Sequence, residues 1–107
     1  MKNPAIFINC FEVPAGREDE FVQLWSEVNR YMRAKRGFLF NRLHRATSPD
    51  ARFRFINYVH CATEDDWRAA HDEGFRKLVG RPEWRNFPHT PALCDVVCEH
   101  GSEVKAA

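Results

Sequence analysis

The 107-residue chain predicts a single α+β domain of the ferredoxin-like kind, ordered β-α-β-β-α-β around an antiparallel sheet. Three observations point there. The length suits one domain and leaves little room for a second. Two stretches carry apolar residues at helical spacing, and they alternate with stretches that read as strands. A turn cluster, Thr47-Ser48-Pro49-Asp50, joins the second and third strand patterns into a hairpin. No internal linker interrupts the order, so residues 1–107 form one unit with a core at about 5–98 and a polar tail at 99–107.

Ala5 to Val13 opens as a strand. Ile6-Phe7-Ile8-Asn9-Cys10-Phe11 is apolar on both faces, with one amide set into it, as in a strand covered on both sides. Pro14-Ala15-Gly16 ends it. Arg17 to about Lys35 reads as a long helix. Glu18, Asp19 and Glu20 suit the dipole of its first turn, and Phe21, Leu24, Trp25, Val28, Tyr31 and Met32 form one stripe. Gly37 is its expected C-cap. Phe38 to Ala46 and Arg52 to Ala62 are the hairpin strands. On the latter, Phe53, Phe55, Asn57, Val59 and Cys61 share one face, while Arg52, Arg54, Ile56, Tyr58 and His60 share the other. Thr63 caps a second helix whose first turn is Glu64-Asp65-Asp66 and which carries Trp67, Ala70 and His71. Gly74 is expected to interrupt it before a further helical piece with Phe75, Leu78 and Val79. Glu83 to Pro91 reads as irregular, and Leu93 to Cys98 as the last strand.

Both helices fall on one side of such a sheet. Ile6, Ile8, Ile56 and Tyr58 make the other side apolar, and the chain has no element left to cover it. A homodimer stacking sheet on sheet is the expected remedy.

Composition removes several function classes. Net charge is +1 and no long basic run occurs, so nucleic acid and anionic membranes are not expected partners. No apolar stretch approaches the roughly 20 residues of a membrane span, and the N-terminus has no signal-peptide layout, so a cytoplasmic location is expected. The four cysteines, Cys10, Cys61, Cys94 and Cys98, are then expected to be reduced. Cys94 and Cys98 on one extended strand would sit about 13 Å apart. That is too far to share a metal, and no metal site is expected.

The candidate site residues follow from the faces. Asn57 and Cys61 share a strand face; with Asn9, Phe7 and Phe11 they outline an apolar compartment holding two amides, the anatomy of a small-molecule site. Asn9 has two readings, an amide satisfied by neighbouring backbone or one that bonds a ligand oxygen. An unmet buried hydrogen bond would cost about 1–3 kcal/mol. Trp67 packs or walls the compartment. His71 lies one turn later on the same helical face and is the nearest imidazole, whereas His60 faces away from Asn57. His44 and His89 stay open. Trp25 closes the core, and Trp84 is a lid or a dimer contact. The hairpin arginines Arg42, Arg45, Arg52 and Arg54 read as a solvated basic face, with capture of an acidic substrate or partner as the alternative.

Several words at fixed spacing, Phe7-Ile8-Asn9-Cys10-Phe11-Glu12-Val13-Pro14, Phe21 with Trp25, Arg36-Gly37-Phe38, Phe53-Arg54-Phe55-Ile56-Asn57-Tyr58 and Ala62-Thr63-Glu64-Asp65-Asp66-Trp67, resemble the antibiotic-biosynthesis monooxygenase (ABM) family over about residues 5 to 98. The resemblance implies a dimeric α+β barrel and, among characterised members, cofactor-independent oxidation of anthrones or quinols, or haem degradation. It implies a pocket between sheet and helices. Asn9 matches a first-strand Asn of the haem-degrading members, and Asn57 a third-strand Asn of the anthrone oxygenases. The Trp used four residues further along is Cys61 here, and the Tyr six residues after that is Trp67. Phe75 matches the second-helix Phe of the haem-degrading members, but their iron-ligand position falls at Val79, which cannot coordinate a metal.

The expectation is therefore a monooxygenase for a small electron-rich aromatic, working without a cofactor. Asn9 and Asn57 hold the oxygens, His71 assists proton removal, and Phe7, Phe11, Phe55, Cys61 and Trp67 bind the substrate. A non-catalytic binding or accessory protein on the same fold is the alternative, and haem binding is a third.

Overall fold

Hydrophobic alternation and turn chemistry yield a four-stranded antiparallel sheet in the computed structural model, which describes residues 4–101. The elements are β1 (Ala5–Phe11), α1 (Glu18–Met32), β2 (Phe38–Arg45), β3 (Phe55–Cys61), α2 (Glu64–Ala70), α3 (Glu73–Val79), a 3-10 turn (Pro82–Asn86) and β4 (His89–Cys94). Strand order is β2-β3-β1-β4 and the fold is ferredoxin-like α+β, as expected. The part of the expected tail beyond residue 101 lies outside the described residues.

The two-sided apolar run of β1 becomes a central strand, paired with β3 and with β4. Its register sets Phe7 opposite Val59, Asn9 opposite Asn57 and Phe11 opposite Phe55. The core gathers at the Phe11 end, where Phe11, Phe21, Leu24, Phe55 and Phe87 are buried together. Phe21 is fully buried and sits 4.8 Å, ring to ring, from both Phe11 and Phe55. The hairpin tip is held by Arg54, which donates to the carbonyls of Ala46, Ser48 and Pro49, so this arginine is a loop clamp rather than part of a solvated face.

Among the boundaries that differ from the sequence expectation, four have a clear cause. Helix α1 stops at Met32, so Gly37 is not its cap; it stands at φ +86° in the turn into β2, where a Cβ would lie 2.4 Å from the Asp66 carboxylate. Strand β3 starts at Phe55, because Arg54 belongs to the loop clamp. The second helix breaks at His71 and Asp72 instead of at Gly74. Asp72 caps α3 by accepting the Phe75 N–H at 3.0 Å, so the chain restarts there. Gly74 lies inside α3, where its missing side chain leaves room for the Tyr31 hydroxyl. The last strand is His89–Cys94, not Leu93–Cys98. Pro91 reads as a strand breaker, but β4 is an edge strand paired only with β1, where a missing N–H is tolerated. Cys98 therefore lies beyond the strand, and the strand-based distance between Cys94 and Cys98 does not apply.

Candidate functional site

One side of the sheet is closed by the core at the Phe11 end and left open elsewhere. The space between sheet and helices is a cavity of about 640 Å³, within the range of small-molecule sites. Its floor comes from alternate positions of β1 and β3: Phe7, Asn9 and Phe11 from one strand, Asn57, Val59 and Cys61 from the other. Period-2 alternation sends these six to the helix side. Its roof comes from the C-terminal half of the α1 stripe (Trp25, Val28 and Met32), from Trp67 and His71, and from Phe75 and Val79 of α3.

Asn9 and Asn57 are directly paired across the two strands. Asn9 is 9% exposed, and both side-chain oxygens are buried without a hydrogen-bond partner. Both amides line the cavity, and each carries an NH2 group that can donate to a ligand there. The site thus offers two neighbouring N–H donors in an apolar surround. Donors of this kind stabilise negative charge that develops on a ligand oxygen.

Trp67 lies over Phe7 with ring centroids 5.1 Å apart, and His71 packs against Trp67 at 4.2 Å and Phe75 at 4.6 Å. Thr63 sets the start of this helix, its hydroxyl accepting the Asp66 N–H at 3.1 Å. Cys61 is buried in the wall. Burial, with the negative charge of Asp66 adding to it, pushes its thiol up, so it stays protonated near neutral pH.

The roof is tied to α1 by charge. Asp72 accepts from the Tyr31 hydroxyl at 2.8 Å and from Lys35 at 2.5 Å, besides capping α3. Lys35, the Phe75 N–H and Tyr31 together hold the Asp72 carboxyl well below the usual carboxylate range, and Asp72 in turn raises Lys35. Arg81 bonds Glu27 and Glu83, joining the 3-10 turn to α1.

The structure brings Phe7, Asn9, Phe11, Asn57, Cys61, Trp67 and His71 together on one cavity, as expected. It does not bring Phe55 there. Phe55 is buried against Phe21 in the core, because the cavity is already closed at that end of β3. Trp84, expected as a lid or dimer contact, packs on the core cluster and lines the cavity wall. Sequence reasoning missed Val28, Met32, Arg85 and Pro91 as lining residues. The stripe on α1 held the usable signal for two of them: it is longer than the core it covers, since only Phe21 and Leu24 of it are buried. His60 lies on the opposite sheet face against Phe40 and Tyr58, as alternation requires. Among the described residues, no group of three or more His, Cys, Asp or Glu is arranged to hold a metal ion. Val79 lines the cavity beside Phe75 and offers no donor to a haem iron.

Comparison with known proteins agrees with this architecture. The family model for antibiotic biosynthesis monooxygenases matches residues 4–87. Among solved structures, a protein of Shewanella loihica PV-4 assigned as a monooxygenase is similar at 26% identity and a TM-score of 0.80, covering 92% of this chain and 99% of that one. SnoaB, a cofactor-independent oxygenase from Streptomyces nogalater, shares the fold at 19% identity and a TM-score of 0.76, over 91% of this chain and 96% of that one. A haem-degrading protein of Mycobacterium tuberculosis shares it at 22% identity and a TM-score of 0.65, over 95% of this chain and 100% of that one. No curated protein matches by sequence.

Proposed function

The chain belongs to the antibiotic biosynthesis monooxygenase family, and on that premise we propose that it oxidises a small electron-rich aromatic, of the phenol, quinol or anthrone type, with dioxygen and without a cofactor. The observation that carries this reading is the cross-strand pair Asn9 and Asn57, whose amides face one apolar cavity. The substrate loses a proton and becomes an enolate or phenolate. The two amide donors stabilise that oxyanion, and aromatic walls orient the ring. The anion supplies the electrons that reduce dioxygen. One oxygen atom ends as the new carbonyl of the product and the other as water, so an anthrone CH2 becomes a quinone C=O and no outside reductant is consumed. Phe7, Phe11 and Trp67 are the binding walls in this scheme. Cys61 supplies a small wall where related enzymes carry a larger ring.

Oxygen uptake on a panel of quinols, phenols and anthrones, with and without flavin and metal, tests this. Uptake that needs no additive supports the reading. A ligand that raises the melting temperature and is recovered unchanged would replace it with a binding function. Silence in both assays across the panel would end it.

The outer sheet face supports a homodimer in the same reading. Ile8, Ile56 and Tyr58 remain partly exposed there, and His60 Nδ1 is buried without a partner. Light scattering of the full chain decides the mass. A cytoplasmic location goes with this reading, supported by four free cysteines, which suit a reducing compartment. No helix among the described residues is long and apolar enough to cross a membrane.

A further inference from the structure

The proposed reaction needs a group that takes the substrate's proton, and the geometry points to one atom. Helix α2 ends at Ala70, and the His71 N–H bonds back to the Arg68 carbonyl at 3.2 Å, one residue short of the regular helical partner. The Trp67 carbonyl is thereby left without its backbone donor, as carbonyls at helix ends are. The His71 ring fills the gap, with Nδ1 2.6 Å from the Trp67 oxygen. A carbonyl only accepts, so Nδ1 carries the proton. The lone pair of the neutral ring therefore resides on Nε2. Nε2 has no hydrogen-bond partner among the described residues and is not buried, and His71 lines the cavity between Phe7, Trp67 and Phe75.

From this arrangement we infer that His71 Nε2 is the proton acceptor of the reaction, with the Trp67 carbonyl fixing its tautomer. This rests on the monooxygenase reading above. In the step, the acidic C–H or O–H bond of the substrate breaks and the proton passes to Nε2. The electron pair stays on the substrate as enolate or phenolate, held by the amide NH2 groups of Asn9 and Asn57. Dioxygen is the oxidant that then takes the electrons, and the proton leaves in the water formed. The neighbouring groups are less suited. The Cys61 thiol is held protonated by its burial, and Asp66 is engaged by Arg36 at 3.9 Å. His89 is exposed and stacks on Phe11 at the core end of the cavity.

The bland alternative is that His71 only caps its helix. His71→Asn separates the two, because an Asn side chain supplies an N–H donor near the Nδ1 position and nothing at Nε2. For a substrate that the wild type turns over, the inference expects the Asn variant to stay folded, losing only the stability that the His71 ring contacts supply, and to bind anthraquinone within a few-fold of the wild-type Kd. Its kcat should fall by about 10²–10⁴-fold, the usual worth of a positioned acid or base. Free imidazole should restore part of the activity of His71→Ala. A His71→Asn variant with full kcat, or one whose anthraquinone affinity falls as far as its kcat, would overturn the inference and leave the proposed function standing. Absence of turnover by the wild type overturns both.

Discussion

Replacing Gly74 by Ala tests the junction that holds the cavity roof to α1. In an isolated helix the change would be favourable by about 1 kcal/mol, since glycine is a poor helix former. Here the added Cβ would lie 2.3 Å from the Tyr31 hydroxyl and 2.7 Å from the ring carbon that bears it. Neither distance is tolerable, and two responses are available. Tyr31 can swing away, losing the one hydrogen bond its hydroxyl donates to the Asp72 carboxylate, whose oxygens lie 2.8 and 2.9 Å away. A bond to a charged group is worth about 1.5–3 kcal/mol. Alternatively α3 shifts outward, an overpacking cost of about 1–3 kcal/mol. Either cost matches or exceeds the helix gain, leaving a net loss of up to about 2 kcal/mol, and each kcal/mol lowers the melting temperature of a domain this size by about 4–8 °C. A four-corner cycle with Tyr31→Phe, read by urea unfolding, isolates the contact. Gly74→Ala should cost less in the Tyr31→Phe background, with a coupling of about 1 kcal/mol, because the nearest atom and its hydrogen bond are already gone. It should still cost something, since the ring carbon remains. A rise in stability on Gly74→Ala, or zero coupling, would refute the reasoning.

Other expectations follow from the same geometry. Thr63→Ala removes the acceptor of the Asp66 N–H, 3.1 Å away, and should lower stability by about 0.5–2 kcal/mol in urea titration. The Asp72 carboxyl is depressed on folding, so its contribution is present above the unfolded value of about 3.9 and fades as pH falls through that value toward the lower folded one. Melting curves from pH 5 downward should therefore show a shallower acid decline for Asp72→Asn than for the wild type, from a lower starting point. Burial raises the Cys61 thiol, so peptide mass mapping after brief alkylation near pH 8 should find exposed Cys98 modified first and Cys61 last.

Which elements were legible follows from how local their causes are. The stripe of α1, the Thr63 cap and the hairpin turn are written in spacings of a few residues, and the structure contains all three. Elements whose limits depend on a distant partner were misplaced. Pro91 reads locally as a break, yet at the sheet edge it pairs with Asn9. Gly74 reads locally as an interruption, yet the break comes two residues earlier, where Asp72 is claimed by Tyr31 and Lys35 from α1. Phe55 shares a face with Asn57 but belongs to the core, because Phe21 from α1 occupies the space above it.

The candidate site divides the same way. Strand alternation alone aligned Asn9 with Phe7 and Phe11, and Asn57 with Cys61, since side-chain direction in a strand repeats every second residue whatever the partner. The order of elements predicted the fold class, and the family resemblance marked the two amides that alternation had placed on these faces. Their direct pairing, the space left above them and the tautomer of His71 came only with the tertiary structure. Register between strands, the volume between packed layers and the loss of a helix-end hydrogen bond each depend on groups far apart in the chain, and no local spacing encodes them.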